Sequence, residues 1–100
     1  MNDTQRQWEK CIDFHGHRCK GLLAGFLASA YAMSLIDFDS DTDEDAVCIS
    51  ENDACGIDAI QVVLGCTAGR GSLLFHMTGK TAYSFYGRKS SQNCRIILKG

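Results

Sequence analysis

The uncharged run from Leu22 to Ile36 constrains the fold of this chain more than any other segment. It is shorter than the roughly 20 apolar residues that a membrane-spanning helix needs, so we expect a buried helix of a soluble protein over residues 21–35. Small residues recur along it, at Gly21, Gly25, Ala28, Ser29 and Ala32. A stripe of small residues lets another helix or strand approach closely.

The other segments complete an α+β pattern. An amphipathic helix is predicted over 3–13 and a short strand over 46–50. A further helix, capped by Asn52 or Asp53, is predicted to run to about Leu64 and to end at Gly65. Further strands are predicted over 73–77, 81–86 and 95–98. We therefore expect one domain over residues 1–100, with N-terminal helices packed on a small, mainly antiparallel sheet and one inserted helix.

The charge and the N-terminal residues restrict the ligands that the protein can bind and the compartment in which we expect it. The net charge is −2 and the ten basic residues form no run, which argues against nucleic-acid binding. Residues 1–6 are polar and do not resemble a signal peptide, so we expect a cytoplasmic protein without a membrane segment. The acidic stretch 37–45 fails the EF-hand pattern and is predicted to be a solvated loop.

Two imidazoles and a thiol lie within five residues, at His15, His17 and Cys19. Zinc is bound by these side-chain types. On a helix His17 would point away from the other two, whereas in a loop loosened by Gly16 all three could converge. Cys55 is the fourth candidate ligand, provided that the fold brings it to this motif.

Cys55 also supports a second hypothesis. In the first turn of its predicted helix, the helix dipole would lower the pKa of the Cys55 thiol. Cys55 and Asp58 are therefore candidate catalytic residues of a thiol-dependent enzyme that uses His15 or His17 as its base. In the metal hypothesis Asp58, with Gln61 one turn on, would instead orient a ligating histidine.

The glycine-rich segment 65–72 matches neither the P-loop nor the dinucleotide fingerprint. Its Gly69-Arg70-Gly71 turn is a candidate anion-binding nest, helped by Arg70 or Lys80, and we expect it at the edge of a small pocket beside the metal site. The alternative is an ordinary turn between a helix and a strand.

The six cysteines serve as ligands, reactive thiols or core residues if the compartment is reducing. Cys11, Cys48 and Cys94 are each embedded in apolar segments, so we expect core positions for them. Cys66 is left open, either packed in the core or facing the cleft.

Four motifs in order along the chain resemble the FmdE family, which takes its name from a component of molybdenum or tungsten formylmethanofuran dehydrogenase. They are Phe14-His15-Gly16-His17-x-Cys19-x-Gly21-Leu22, Glu51-Asn52-Asp53-x-Cys55-x-x-Asp58-Ala59-Ile60-Gln61, Gly65-Cys66-Thr67-x-Gly69-Arg70-Gly71 and Gly79-Lys80-x-Ala82-Tyr83. The chain departs from the family pattern at Lys20, where proline is usual, and at Arg70, where lysine is usual.

The resemblance implies an α+β core domain, a metal site at the His/Cys motifs and a homodimer. In the named complex, which acts in one-carbon metabolism, other subunits carry the molybdopterin and the main chemistry. A molybdopterin oxidoreductase is therefore a candidate partner, and a non-catalytic docking or scaffold role is an alternative. The leading hypothesis is a metal-binding protein, with zinc as the cofactor; neither a reaction nor a substrate is predicted.

Overall fold

The computed structural model describes residues 2–39 and 45–99, and residues 40–44 of the acidic stretch lie outside them. Three helices and four strands follow in the order α1 (Asp3–His15), α2 (Lys20–Leu35), β1 (Ala46–Ser50), α3 (Gly56–Leu64), β2 (Leu73–Phe75), β3 (Ala82–Gly87) and β4 (Asn93–Ile97). In the described ranges no helix is long and apolar enough to cross a membrane.

The four strands form one mixed sheet in the order β2-β1-β3-β4. The β1–β3 and β3–β4 pairs are antiparallel, whereas β1 and β2 are parallel and are connected through α3. The α+β fold with an inserted helix is therefore confirmed. The parallel pair follows from α3, because a crossover of this kind returns the chain to the same end of the sheet.

Close packing between α2 and α3 sets the position of the inserted helix. A Cβ atom on Gly25 of α2 would overlap the backbone of Gly56, the first residue of α3. The small-residue stripe of α2 thus lets two helix backbones touch, as the sequence predicts. Two buried clusters result, one between the helices and the sheet and one among the three helices around Cys11, Leu22 and Phe26.

Two backbone features determine how the chain passes from α1 to α2. The first helix continues to His15, two residues beyond the predicted end, and Gly16 ends it in the left-handed conformation with φ of 103°. Glycine adopts this conformation without strain. Cys19 is then the N-cap of α2, where its Sγ accepts a hydrogen bond from the Leu22 N–H at 3.4 Å. The link between the helices is therefore only residues 16–19.

The six cysteines are all free thiols in the structure. Cys11 and Cys48 are buried, as predicted, and burial raises the pKa of each thiol. Cys94 is only half-buried, in β4. Cys66 is fully buried and donates to the Ala46 carbonyl, and burial raises its pKa to about 12. Cys66 therefore packs in the core.

Candidate metal centre

The link between α1 and α2 gathers the three residues of the first motif. One ligand atom from each of His15, His17 and Cys19 lies within 4.8 Å of the other two. His15 is the last residue of α1, and the left-handed Gly16 turns the chain so that the next residues fold back over it. The convergence that the sequence allowed for a loop is thus achieved at a helix end.

A carboxylate fixes the orientation of His15. The His15 Nδ1 atom lies 2.7 Å from Oδ2 of Asp58 on α3. Because a carboxylate accepts, Nδ1 carries the proton and Nε2 is left as the ligand atom. His15 Nε2 lies 3.8 Å from the Cys19 Sγ. Two ligands of a tetrahedral zinc ion would be about 3.6 Å apart with ordinary Zn–N and Zn–S bonds, so this pair fits the metal closely.

His17 is held in the same tautomer by the backbone. Its Nδ1 atom lies 3.1 Å from the Arg18 carbonyl oxygen, which can only accept, so Nδ1 donates and Nε2 has the free lone pair. The rings of His15 and His17 are tilted by 49° with their centroids 4.6 Å apart. Both imidazoles therefore present Nε2 for ligation, with the other nitrogen anchored, as is usual for metal-binding histidines.

The two cysteines near this cluster differ in their pKa values. The Leu22 N–H bonded to its sulfur lowers the pKa of Cys19, and the neighbouring Cys55 and His15 lower it further. Cys55 has a raised pKa, chiefly because its thiol is hydrogen-bonded to Cys19 and is partly desolvated. The sequence predicts a lowered pKa for Cys55, whereas within this pair of thiols the lowered pKa is that of Cys19. Cys55 is the N-cap of α3 but makes no side-chain capping bond, whereas Cys19 makes one at α2.

Asp58 and Gln61 form the polar support that the sequence predicts for a histidine. Gln61 Nε2 donates to Asp58 Oδ1 at 3.0 Å, while the other oxygen of Asp58 faces His15. The hydrogen bond to Asp58 raises the pKa of His15 above its ordinary value. A basic imidazole binds a metal more strongly once the proton is displaced.

Cys55 lies beside the three-residue group but is not part of it. The set of ligand atoms within 4.8 Å of one another comprises His15, His17 and Cys19 among the described residues. Cys55 reaches it through its hydrogen bond to Cys19 and packs against Gly21, where an added Cβ would lie 3.1 Å from the Cys55 Cβ. Ligation by Cys55 stays a prediction.

The glycine-rich turn lies at the other end of α3. This helix has nine residues, so its ends are about 13 Å apart. The sequence predicts that the turn lies beside the His/Cys cluster, but the turn is instead at the far end of α3. Backbone N–H groups of the turn are engaged locally: Arg70 donates to Thr67 Oγ1 and Gly71 donates to the Ala68 carbonyl. This pattern is typical of a structural turn, and anion binding by Gly69, Arg70 and Gly71 stays a prediction.

Sequence reasoning gave no role to Glu51 and did not foresee the contacts of Asn52. Glu51 is buried and pairs with Arg95 of β4, with Nε 2.7 Å from Oε2, and accepts from the Thr78 hydroxyl. The Asn52 side chain accepts from the Ala54 N–H and donates to the Lys80 carbonyl. Together they fix the segment that leads into Cys55. The only sequence feature that could have indicated these roles is an acidic residue followed by asparagine at the end of a strand.

Residues 14–99 match the family described as "FmdE, Molybdenum formylmethanofuran dehydrogenase operon". A curated relative from Archaeoglobus fulgidus, named "Probable S-adenosyl-L-methionine-binding protein", is 34% identical over 90 residues, which is 86% of this chain. The chain spans only 25% of that relative. The crystal structure of an FmdE-like protein of the tungsten formylmethanofuran dehydrogenase type, from Syntrophus aciditrophicus, gives a TM-score of 0.67 at 20% identity, covering 96% of this chain and 73% of that chain. This likeness shows a shared fold.

Proposed function

Since this chain belongs to the FmdE family, we propose that it binds one divalent transition metal ion, with zinc as the first choice, through His15, His17 and Cys19. The observation that carries the proposal is the arrangement of the two imidazoles. Each has its Nδ1 anchored by an acceptor, and the ligand atoms of the group lie within 4.8 Å of one another. The S. aciditrophicus neighbour supports only the fold, and the support for a metal comes from this chain's own side chains.

The donor set fits zinc in type and number. Two imidazole nitrogens and one thiolate are ligands that zinc prefers, and three protein ligands leave one position for water or a substrate, as in catalytic sites. The Leu22 N–H favours the thiolate form of Cys19, which ligation requires. Cys55 keeps its proton and donates to the Cys19 sulfur, and Asp58 holds His15 in place.

Metal content per chain, measured by elemental analysis on anaerobically purified protein, tests the proposal. We expect about one metal ion per chain in the wild type, as for a mononuclear site, and loss of the metal in Cys19→Ala and His17→Ala. Cys94→Ala and His76→Ala are matched controls, because these residues lie outside the group and should leave the content unchanged. A wild type without metal, or equal loss in the controls, would refute the proposal.

The role of Cys55 is decided by the same measurement on Cys55→Ala. In our proposal this variant keeps the metal and binds it more weakly, because only a hydrogen bond to Cys19 is lost. Loss of the metal would make Cys55 a fourth ligand, and the site would then be closed, as in structural zinc centres. The cobalt(II) form gives an independent count, since each thiolate ligand adds intensity to the near-ultraviolet charge-transfer band.

A metal-free thiol enzyme is the second candidate function, and one observation favours it. Cys19, His15 and Asp58 line up as thiol, base and orienting acid, with 3.8 Å and 2.7 Å between successive atoms. In this candidate function we propose Cys19 as the nucleophile, in place of the Cys55 that the sequence suggested. In chelator-treated protein at neutral pH, iodoacetamide would then modify Cys19 first among the six thiols; equal, slow modification of all six would remove this candidate.

The proposal also includes the oligomeric state and the cellular compartment of the protein. We propose a homodimer in a reducing compartment such as the cytoplasm, supported by six free thiols and by an uncharged exposed face on α2. The family's description supports an association with a molybdenum oxidoreductase operon. Three quarters of the A. fulgidus relative has no counterpart in this chain.

A further inference from the structure

A cavity of about 380 Å³ lies at the start of α2, the helix whose N-cap is Cys19. Its walls come from the start of α2, the segment before α3, the start of β3 and the residues after β4. The hydrogen bond from the Leu98 N–H to the Thr81 carbonyl extends the β3–β4 pairing to two of the lining residues. The volume is at the lower end of the range for ligand pockets, so it suits a small metabolite and not a polymer or a large cofactor.

The charged side chains that line this cavity are all basic. Lys20 and Lys99 line it, and no acidic side chain is among its lining residues in the described chain. The ion pairs found in residues 2–39 and 45–99 do not use either lysine. Two ammonium groups without an acidic partner at one cavity attract a negatively charged ligand.

Polar and apolar groups share the rest of the wall. Asn52 and Thr81 contribute neutral hydrogen-bonding groups, and the buried Tyr83 also lines the wall. The remaining lining is apolar or glycine, and Ala24 and Leu98 provide its aliphatic part. A few polar groups within an otherwise apolar wall are typical of sites that bind small organic molecules.

The cavity is connected to the His/Cys cluster through two adjacent residues. Lys20 directly follows Cys19, and Gly21 is in contact with Cys55. Both residues line the cavity. The cavity and the His/Cys cluster therefore adjoin through the first turn of α2, although neither Cys19 nor Cys55 is among the residues that line the cavity.

We propose that this cavity binds a small organic anion, whose carboxylate or phosphate group is held by Lys20 and Lys99. Its role as the substrate pocket of the metal centre rests on the proposed function; its ability to bind an anion does not.

Isothermal titration with succinate and with inorganic phosphate tests the proposal, with the uncharged succinamide as the control ligand. We expect saturable binding of at least one anion and none of succinamide. The double variant Lys20→Ala/Lys99→Ala should weaken binding about tenfold or more, since charged hydrogen bonds are lost. Lys10→Ala removes a lysine on α1 outside the cavity and should leave binding unchanged.

A second variant tests the place of binding without changing charge. Ala24→Leu adds three carbons to the cavity wall and should abolish anion binding while the melting temperature stays close to that of the wild type. Absence of binding by both anions, equal binding of succinamide, or unchanged binding in both variants would overturn the proposal.

Titrations of zinc-loaded and chelator-treated protein separate this proposal from the metal proposal. If the protein takes up no zinc on loading but still binds an anion, the cavity assignment stands and the metal centre is refuted. A metal-loaded protein that binds neither anion would refute the cavity assignment alone. A change of the anion dissociation constant on metal loading would establish that the two sites act together.

Discussion

Asp58 is the residue whose contribution to the metal site can be tested without removing a ligand. Its carboxylate lies 2.7 Å from His15 Nδ1 and fixes both the tautomer and the ring orientation. Asp58→Asn retains the size of the side chain and loses the charge. We expect it to weaken metal binding about 10–100-fold, measured by competition with a chromogenic chelator at pH 8.

Asp13→Asn is the matched control for this prediction, because Asp13 is an exposed carboxylate on α1. It should bind metal with the affinity of the wild type. An unchanged affinity in Asp58→Asn would mean that His15 is not a ligand, or that its orientation does not depend on the carboxylate.

The candidate site shows what residue spacing can and cannot predict. The close spacing of His15, His17 and Cys19 was enough to nominate a ligand group, and the structure brings the three together. The spacing of Asp58 relative to Cys55 indicated a shared helix face, but not which histidine it would meet. That choice depends on how α1 packs against α3, which involves residues 43 positions apart.

Glu51 makes the stability of the protein depend on pH. The ion pair with Arg95 holds the pKa of Glu51 at about 2, well below its ordinary value of 4.5. A carboxylate with a lowered folded-state pKa stabilises the fold above its unfolded pKa, and this stabilisation is lost as the pH falls through the folded value. The contribution of Glu51 is therefore complete at pH 7 and disappears between about pH 4.5 and pH 2.

Urea unfolding of Glu51→Gln at several pH values checks this prediction. The variant should be less stable than the wild type at pH 7, and the difference in unfolding free energy should shrink as the pH falls toward 2. Glu9→Gln is the control, since the pair of Glu9 with Arg18 is at the surface and 3.7 Å long, and such pairs contribute little. A difference that does not vary with pH would contradict the assignment.

At the scale of elements, the contact between Gly25 and Gly56 determines how α2 and α3 pack. Helix propensity alone favours Gly25→Ala by about 1 kcal/mol. However, the added Cβ would overlap backbone atoms of Gly56, which cannot move as a side chain can. Overpacking of this kind costs about 1–3 kcal/mol, so we expect net destabilisation, measured as a lower midpoint of chemical unfolding.

Gly69→Ala provides the comparison for Gly25→Ala. An added Cβ at Gly69 meets no atom within 4 Å, and the residue has no positive φ. This variant should unfold at nearly the same denaturant concentration as the wild type. Equal stability of both variants would show that the two helices can separate slightly without loss.

Element boundaries were predictable where local chemistry alone decides them. Strand β1 was predicted over 46–50 and is observed there, and Gly65 ends α3 in the left-handed conformation, as expected. The N-cap of α3 was predicted to be Asn52 or Asp53, whereas the observed N-cap is Cys55 and the helix starts at Gly56. The reason is tertiary: Asn52 uses its side chain to bind the Lys80 carbonyl, which lies 28 residues away.

Strand pairing shows a similar limit. The strand predicted over 73–77 is observed only over Leu73–Phe75. These three residues pair with the last three residues of β1, which ends at Ser50, so no further residue of β1 is left for pairing. The polar and apolar alternation of a short segment does not reveal the length of its neighbour. The parallel direction of this pair likewise depends on the path of α3 over the sheet.

At the scale of the whole molecule, α2 leaves an apolar face exposed. The apolar side chains of this face are spaced four residues apart, and about half of the surface of each is exposed. They are Leu23, Leu27, Tyr31 and Leu35. No charged residue occurs on this helix after Lys20. Contiguous exposed apolar side chains of this kind mark association surfaces. Rows spaced by four residues on two copies of a helix can interdigitate about a two-fold axis.

This α2 face is the interface that we predict for the homodimer. Leu27→Glu would place a charge near its centre, where the charge would lose its water on association. By light scattering after gel filtration, the wild type should have twice the chain mass of 11.0 kDa, and Leu27→Glu the mass of one chain. Ile97→Glu, at an exposed apolar position on β4, is the control and should remain dimeric. A dimeric Leu27→Glu would move the interface elsewhere, and the exposed side chains Leu74, Phe75 and Met77 would be the next surface to test.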